Sequence, residues 1–271
     1  MSRDERVVLP VASLDRSIGV TLEDPAAEGS RLVEAAGQVG LDLYLLGGVA
    51  IRVACASVAQ RPKLRRNYQD IDVAIRARAA TDVTRLLVGE GYEPNRRFNA
   101  INGESRLLFN DLATDRHIDV FMGTFHMCHK LALEPRLSLA EKTLSASDLL
   151  LLKLQIVQLN HKDVVDLVAL LLTFEPTFGK AAGGFDVDYI ATVCASDWGW
   201  YRTLTDNLAQ VLERAEPLLA DPTEVRVVRQ RVDALLGAIE QAPKSMAWRM
   251  RNRVGRRLPW YDLPEEVITQ T

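Results

Sequence analysis

One stretch of thirty residues, LYLLGGVAIRVACASVAQRPKLRRNYQDID at 43–72, restricts the fold more than any other part of the chain. The apolar run Leu43–Leu46 is short and is cut off by Gly47-Gly48, which predicts a buried strand. Val49–Val58 is apolar and alanine-rich, as a buried helix would be. Gly47 and Gly48 then fall at a helix N-terminus, where free N–H groups and the positive dipole end favour an anion such as a phosphate. Glycine also lets the backbone come close to a ligand. A basic loop follows, and Gln69–Ile75 alternates as a strand does. On that strand Asp70 and Asp72 share a face, about 7 Å apart along it. Two carboxylates facing a phosphate-ready turn are what a divalent-metal nucleotide site needs.

Burial makes the two aspartates informative. Asp70 and Asp72 alternate with Ile71 and precede Val73-Ala74-Ile75, in a strand expected to be largely covered. Adjacent carboxylates in a sheet core repel each other and lose hydration unless a cation lies between them. A third carboxylate, Asp119 in His-Ile-Asp-Val-Phe, has the same apolar setting. Buried charges are paired or bind metal, so the three aspartates read as one functional set.

The 271 residues, 48% hydrophobic and 25% charged, suit one large or two modest globular domains. With 33 basic and 36 acidic residues the net charge is −3, so contact with nucleic acid needs a local patch rather than a global field. Cys55, Cys128 and Cys194 are odd in number and far apart, which argues against a disulfide framework and for a reducing cytoplasm. The start, MSRDERVVLP, lacks an apolar signal core, and no apolar run reaches about 18 residues. A cytoplasmic protein without a membrane partner is expected.

Residues 1–24 are weakly patterned. Pro25 to Gly37 predicts a helix capped by Asp24, and Thr81 a cap for Asp82–Glu90. Asn102-Gly103, between Arg97–Ile101 and Glu104–Phe109, predicts a hairpin. A second turn from Asp111 to Asp115 leads to a strand over His117–Met122, which carries Asp119. After Ala140 the pattern becomes helical. Ser147 is a candidate cap for Asp148–Leu159, Lys162–Phe174 a second helix, and Glu175–Phe185 a linker rich in Gly and Pro. Ser196 is read as opening a further helix, and Asp221-Pro222-Thr223-Glu224 another. The division expected is residues 1–140, with a core from about 25, and a helical part 141–271.

The residues at this point resemble a known family. Gly47-Gly48 at a strand-to-helix turn, Arg66-x-x-x-Asp70-x-Asp72, and Asp119 on a later strand resemble the DNA polymerase β superfamily of nucleotidyltransferases. The helical part narrows the likeness: Lys153 on an apolar helix, then Lys162-Asp163-x-x-Asp166-Leu167, looks like the AbiEii-type nucleotidyltransferases, which include toxins of bacterial toxin–antitoxin pairs. The resemblance covers roughly residues 40–172. It implies a mixed α+β fold, with a polymerase-β-like sheet and flanking helices followed by a helical C-terminal domain.

It further implies metal-dependent transfer of a nucleotidyl group from an NTP to an acceptor hydroxyl. Asp70, Asp72 and Asp119 would hold Mg²⁺ or Mn²⁺. Gly47 and Gly48 would cradle the triphosphate, with Arg66, Lys153, Lys162, Asp163 and Asp166 on the nucleotide side. A tRNA 3′ end is one acceptor, with a cognate antitoxin as partner. A small molecule such as an aminoglycoside, or a protein hydroxyl, is another. Two positions depart from the family pattern: Val49 stands where a hydroxyl residue often follows the glycines, and Asn160 where an arginine often precedes the lysine. Both suit an altered donor preference or a domain that binds nucleotide without turnover.

Other stretches have competing readings. Lys153 snorkels from its apolar helix or holds phosphate. Asp163 and Asp166 share a helix face, as acids complementing the dipole or as site residues. His126-Met127-Cys128-His129 lacks the second cluster that a four-ligand zinc site needs. Lys244–Arg257 holds six basic residues and no acid, with Trp248 inside and Trp260 nearby. It is a solvated helix face, or an RNA contact with Trp248 stacking a base.

Overall fold

The computed structural model describes residues 21–179, 183–219 and 221–263. It is a mixed α+β structure. In chain order it runs α1 (Pro25–Gln38), β1 (Tyr44–Leu46), α2 (Gly47–Ala54), α3 (Ala56–Ala59), β2 (Ile71–Ile75), α4 (Ala80–Gly89), β3 (Glu93–Pro94), α5 (Arg96–Asn102), β4 (Arg106–Asp111) and β5 (Arg116–Met122). Then come the small hairpin β6 (Thr124–His126) and β7 (Lys130–Ala132), α6 (Ala146–Leu154), α7 (His161–Thr173), and the short parallel pair β8 (Pro176–Thr177) and β9 (Phe185–Asp186). Four helices close the described chain: α8 (Val187–Ser196), α9 (Trp198–Ala215), α10 (Pro222–Gln241) and α11 (Met246–Val254).

The main sheet has the order β1-β2-β5-β4-β3. β2 and β5 are parallel and the other pairs antiparallel. One face carries Ile71, Val73, Ile75, Ile118, Val120, Leu107 and Phe109, all buried. These residues and the apolar sides of α2, α6, α7, α9 and α10 belong to one cluster, so sheet and helices share a core across residue 140. Among the described residues no helix is long and apolar enough to cross a membrane.

Local signals account for many boundaries. Asp24 accepts from Ala26 N at 3.2 Å and Pro25 occupies the first turn of α1, as expected. Ala26, Gly29, Leu32 and Ala36 form its buried stripe. Asp221 accepts from Thr223 N and opens α10, whose buried Val228, Val232, Leu235 and Ile239 are at helical spacing. Asn160 and Asp163 form a reciprocal capping box at α7, with side-chain to backbone bonds of 3.0 and 3.2 Å. Asn160 is therefore the residue that starts this helix.

Several expectations are corrected. Asn102-Gly103 does not close a hairpin: residues 96–102 are helical, because Asn95 Oδ1 accepts from Phe98 N at 3.0 Å and starts α5. Gly103 has φ −64°, which a type I′ turn excludes. The second expected turn, Asp111 to Asp115, is the one that closes a hairpin, joining β4 and β5 with Asp115 at φ 55°. The helix after the glycines breaks at Cys55 into α2 and α3. Ser145, not Ser147, caps α6, which ends at Leu154; buried Ser147 instead accepts from Asp186 N. α4 has no side-chain cap from Thr81. Ser196 ends α8, and Asp197 caps α9. The stretch expected as a linker contains β8 and β9, with 180–182 outside the described residues, as is most of the weakly patterned 1–24.

Candidate active site

The site lies on the sheet face opposite the apolar one. Strand register sets its first row: Leu46 pairs with Asp72, Asp72 with Asp119, and Asp119 with Leu108. Residues paired across a sheet point to the same side, so the two carboxylates stand side by side on neighbouring strands. Asp70 lies one residue before β2 and is exposed, rather than inside the strand as alternation suggested. Its Oδ1 accepts from His117 N at 3.3 Å and lies 3.4 Å from His117 Nδ1.

The glycine turn closes over Asp72. Gly47 has φ +68°, and a Cβ there would collide with Asp72 Oδ2 and lie 3.0 Å from its Cγ. A Cβ on Gly48 would collide with Arg66 Nη2 and lie 3.2 Å from Tyr68 Cδ1. Both glycines are thus required by close approach: one seats the carboxylate, the other a guanidinium. The N-terminal end of α2 has no side-chain cap.

Two cations are held by α7. Arg66 donates Nε to Asp166 Oδ1 at 2.8 Å and Nη2 to Asp166 Oδ2 at 2.7 Å, a two-pronged pair. Its guanidinium lies 4.0 Å from the centre of the Tyr68 ring. Lys153 Nζ is 2.9 Å from Asp163 Oδ1 and 2.8 Å from Asp166 Oδ2. Burial alone would lower the Lys153 pKa, but Asp166 and Asp163 outweigh it and raise it. The lysine is therefore paired, not snorkelling. Asp163 and Asp166 stand behind the two cations and anchor them. Lys162 is exposed on the first turn of α7.

Electrostatic strain concentrates at Asp72. Burial first, then the charge of Asp119, pushes its pKa up to about 7, against the pull of Lys153 and Arg106. No hydrogen bond offsets this among the described residues. Asp119 is also raised, chiefly by burial, although Arg106 opposes the shift. A donor set of carboxylate oxygens suits Mg²⁺ or Mn²⁺, and a half-buried carboxylate whose pKa is raised by its neighbour is what a divalent cation would relieve. The residues fit such an ion in chemistry. They are not gathered around it: among the described residues no group of three His, Cys, Asp or Glu is placed to hold a metal.

Sequence reasoning missed Arg106, Tyr68 and His117. Arg106 Nε and Nη2 both lie 2.8 Å from Asp119 Oδ1. Pairing register, which the sequence does not show, sets Leu108 opposite Asp119 and so puts Arg106 diagonally beside it.

The other stretches have structural roles. His126 Nε2 lies 2.8 Å from Asp262 Oδ2, while buried His129 lies 2.8 Å from Thr203 Oγ1 through Nε2 and faces the Trp200 ring. The two histidines thus have separate partners. Trp248 is buried, donates Nε1 to Cys194 O at 3.0 Å and meets the Tyr201 ring edge-on. It is not available to stack a base, which corrects the expectation. Arg251 binds the carbonyls of Gly255 and Leu258, and Arg256 pairs with Asp206. Arg249, Arg253 and Arg257 are exposed and have no carboxylate partner among the described residues.

No family model and no curated protein matches the chain. Among solved structures, a lincosamide antibiotic adenylyltransferase with lincomycin bound is similar over 52% of this chain and 92% of its own, at 15% identity and a TM-score of 0.38. An antigenic nucleotidyltransferase-like protein from Paracoccidioides brasiliensis is similar over 84% of this chain and 97% of its own, at 16% identity and a TM-score of 0.41. At these identities and scores neither likeness assigns an activity.

Proposed function

We propose that this chain is a nucleotidyltransferase that moves a nucleotidyl group from an NTP to an acceptor hydroxyl, with release of pyrophosphate. The observation that carries the reading is the seating of Asp72 between the Gly47 turn and Asp119, with its pKa pushed up to about 7 by burial and by that neighbour. A protein with no use for two such carboxylates would gain stability by losing one.

The residues divide the work by position. The uncapped turn of α2 offers backbone N–H groups to the triphosphate. Arg66 and Lys153, held by Asp166 and Asp163, face the negative charge that grows on the leaving pyrophosphate. Asp119, with its pKa raised by burial, accepts the proton of the acceptor hydroxyl. Asp70, Asp72 and Asp119 would hold Mg²⁺ or Mn²⁺, which when bound supplies Lewis-acid polarisation of the phosphates. The chain's own contribution is placement and fixed charge.

The acceptor is an RNA, with a tRNA 3′ end the first candidate, in an AbiEii-type enzyme with a cognate antitoxin. A small-molecule or protein hydroxyl is the alternative acceptor. A second reading, a nucleotide-binding domain without turnover, is favoured by one observation: Asp119 is already engaged by Arg106. Incubation with each labelled NTP plus bulk RNA, an aminoglycoside or the protein itself, followed by mass analysis, separates these outcomes. Label on RNA supports the reading, label elsewhere changes the acceptor, and no label with any NTP leaves the non-catalytic domain.

A further inference from the structure

The third carboxylate of the proposed site has a cation on it that belongs to the chain. Arg106 pairs in register with Phe121, and Leu108 with Asp119, so Arg106 and Asp119 are diagonal neighbours on one face of the β4–β5 hairpin. Both contacts from the guanidinium, Nε and Nη2 at 2.8 Å, fall on Oδ1 of Asp119. Two rings steady the guanidinium: its carbon lies 5.0 Å from the centre of Phe121 and 5.4 Å from that of Phe98 on α5. The Asp119 side chain is 13% exposed and that of Arg106 30%, so the arginine forms the solvent side of the pair.

We propose that Arg106 is an internal stand-in for a divalent cation, holding Asp119 in the metal-free protein and giving it up when a cation binds at Asp72 and Asp119. The proposal rests on the nucleotidyl-transfer reading and extends it to how the site is loaded. The physical case is a contest for one oxygen set. Without a cation, two register partners carry negative charge side by side, and Arg106 offsets part of it. With a cation present, the same positive charge repels the ion and blocks an oxygen it needs. Its exposed side gives the guanidinium a direction in which to leave without crossing the core. Arg106 is a positioning residue on this account, because it acts through Asp119.

The sign of one measurement decides between this role and a structural ion pair. Mn²⁺ is titrated calorimetrically into the metal-stripped full chain, as wild type, Arg106→Gln, Arg106→Lys and Asp119→Asn. Removing a charge-assisted competitor should tighten Mn²⁺ binding in Arg106→Gln on the order of tenfold. Arg106→Lys should fall between, since an ammonium keeps the charge but loses the planar fork. Asp119→Asn should weaken binding, and combining it with Arg106→Gln should erase the gain. A structural pair predicts the reverse, with Asp119 displaced and Mn²⁺ bound more weakly. Equal or weaker binding by Arg106→Gln overturns the proposal alone. If that variant does not fold, Arg106→Lys decides by the same sign. Absence of Mn²⁺ binding by every protein overturns both the proposal and the metal part of the nucleotidyl-transfer reading.

Discussion

Asp72 and Asp119 are register partners on two parallel strands, and the glycine turn before α2 packs against the first of them. The sheet therefore brings together two carboxylates that lie 47 positions apart, and closes one side of the pair with backbone. A charge so placed is costly to the empty protein and useful to a loaded one. This opposition makes the site testable by stability as well as by activity.

The first test is the pH dependence of the metal-free chain. Asp72 has a folded pKa of about 7, above the ordinary aspartate value of 3.8. The folded state thus holds a proton that the unfolded state releases between those values, and stability falls as pH rises through that window. Asp72→Asn should remove this fall. It should match wild type near pH 4 and exceed it at pH 8 by roughly 1–4 kcal/mol. Melting with a chelator present checks this, and taking the difference between the two proteins cancels most groups that they share. Added Mg²⁺ should raise the melting temperature of wild type at pH 8 and leave Asp72→Asn unmoved.

Gly47→Ala separates backbone strain from loss of the seat. At φ +68° any L side chain is strained by about 1 kcal/mol. Gly40 has a similar φ of +71° but open space around its Cβ position. Gly40→Ala should therefore cost only the strain, while Gly47→Ala should cost more and weaken NTP binding because Asp72 must move. Equal melting and equal NTP affinity of the two variants would falsify the close-approach argument.

The legible parts of the site were those that local chemistry dictates. Gly47-Gly48 after an apolar run, and aspartates between Ile and Val, announced a strand, a turn and buried charge without tertiary knowledge. The parts that sequence hid depend on register. Asn102-Gly103 predicts a strand over Arg97–Ile101, whereas Asn95 caps a helix there, a signal the hairpin pattern masks. The strand that carries Arg106 and the turn after it are legible, but not the register that sets Leu108 opposite Asp119 and Arg106 diagonal to it. Asp163 and Asp166 illustrate a second limit: helical spacing placed them on one face, but only packing of α6, α7 and the loop before β2 put Lys153 and Arg66 on that face. Trp248 illustrates a third, since an aromatic in a basic run looks exposed until its indole is found bonded to Cys194 O.

Lys153→Ala should cost stability as well as activity. The side chain is 13% exposed, and its partners Asp163 and Asp166 are 7% and 1% exposed. Truncation leaves Asp163 without its cation, whereas Asp166 keeps Arg66. Breaking a buried pair from one side typically costs about 3–5 kcal/mol. Adding Asp163→Asn to Lys153→Ala should recover part of that loss, since the uncompensated charge is gone, while transfer activity stays absent. Full recovery of activity in the double variant would show that Lys153 serves the fold alone.

The last prediction concerns α11. Its inner side is fixed by Trp248, bonded to Cys194 O, and Arg251, bonded to the carbonyls that follow the helix; just past the helix Arg256 pairs with Asp206. Trp248→Ala should therefore cost about 3–5 kcal/mol, as other large buried side chains do, and should not act on RNA through base stacking. Arg249, Arg253 and Arg257 are exposed and spaced four residues apart. Arg249 and Arg253 therefore lie along one side of α11, which ends at Val254; Arg257 follows the break at Gly255 (φ 60°) and extends the exposed basic surface beyond the helix. If the acceptor is RNA and this surface holds it, replacing the three by Gln should weaken binding and flatten its salt dependence. Counterion release predicts a loss of about 0.7 in slope per contact with single-stranded RNA, hence about 2 for three. NTP affinity should stay unchanged, because the triphosphate cradle is assigned to α2, Arg66 and Lys153. The check is RNA affinity against salt for wild type and the triple variant. Equal affinities and equal slopes would leave α11 as a solvated surface and shift the acceptor towards a small molecule or a protein.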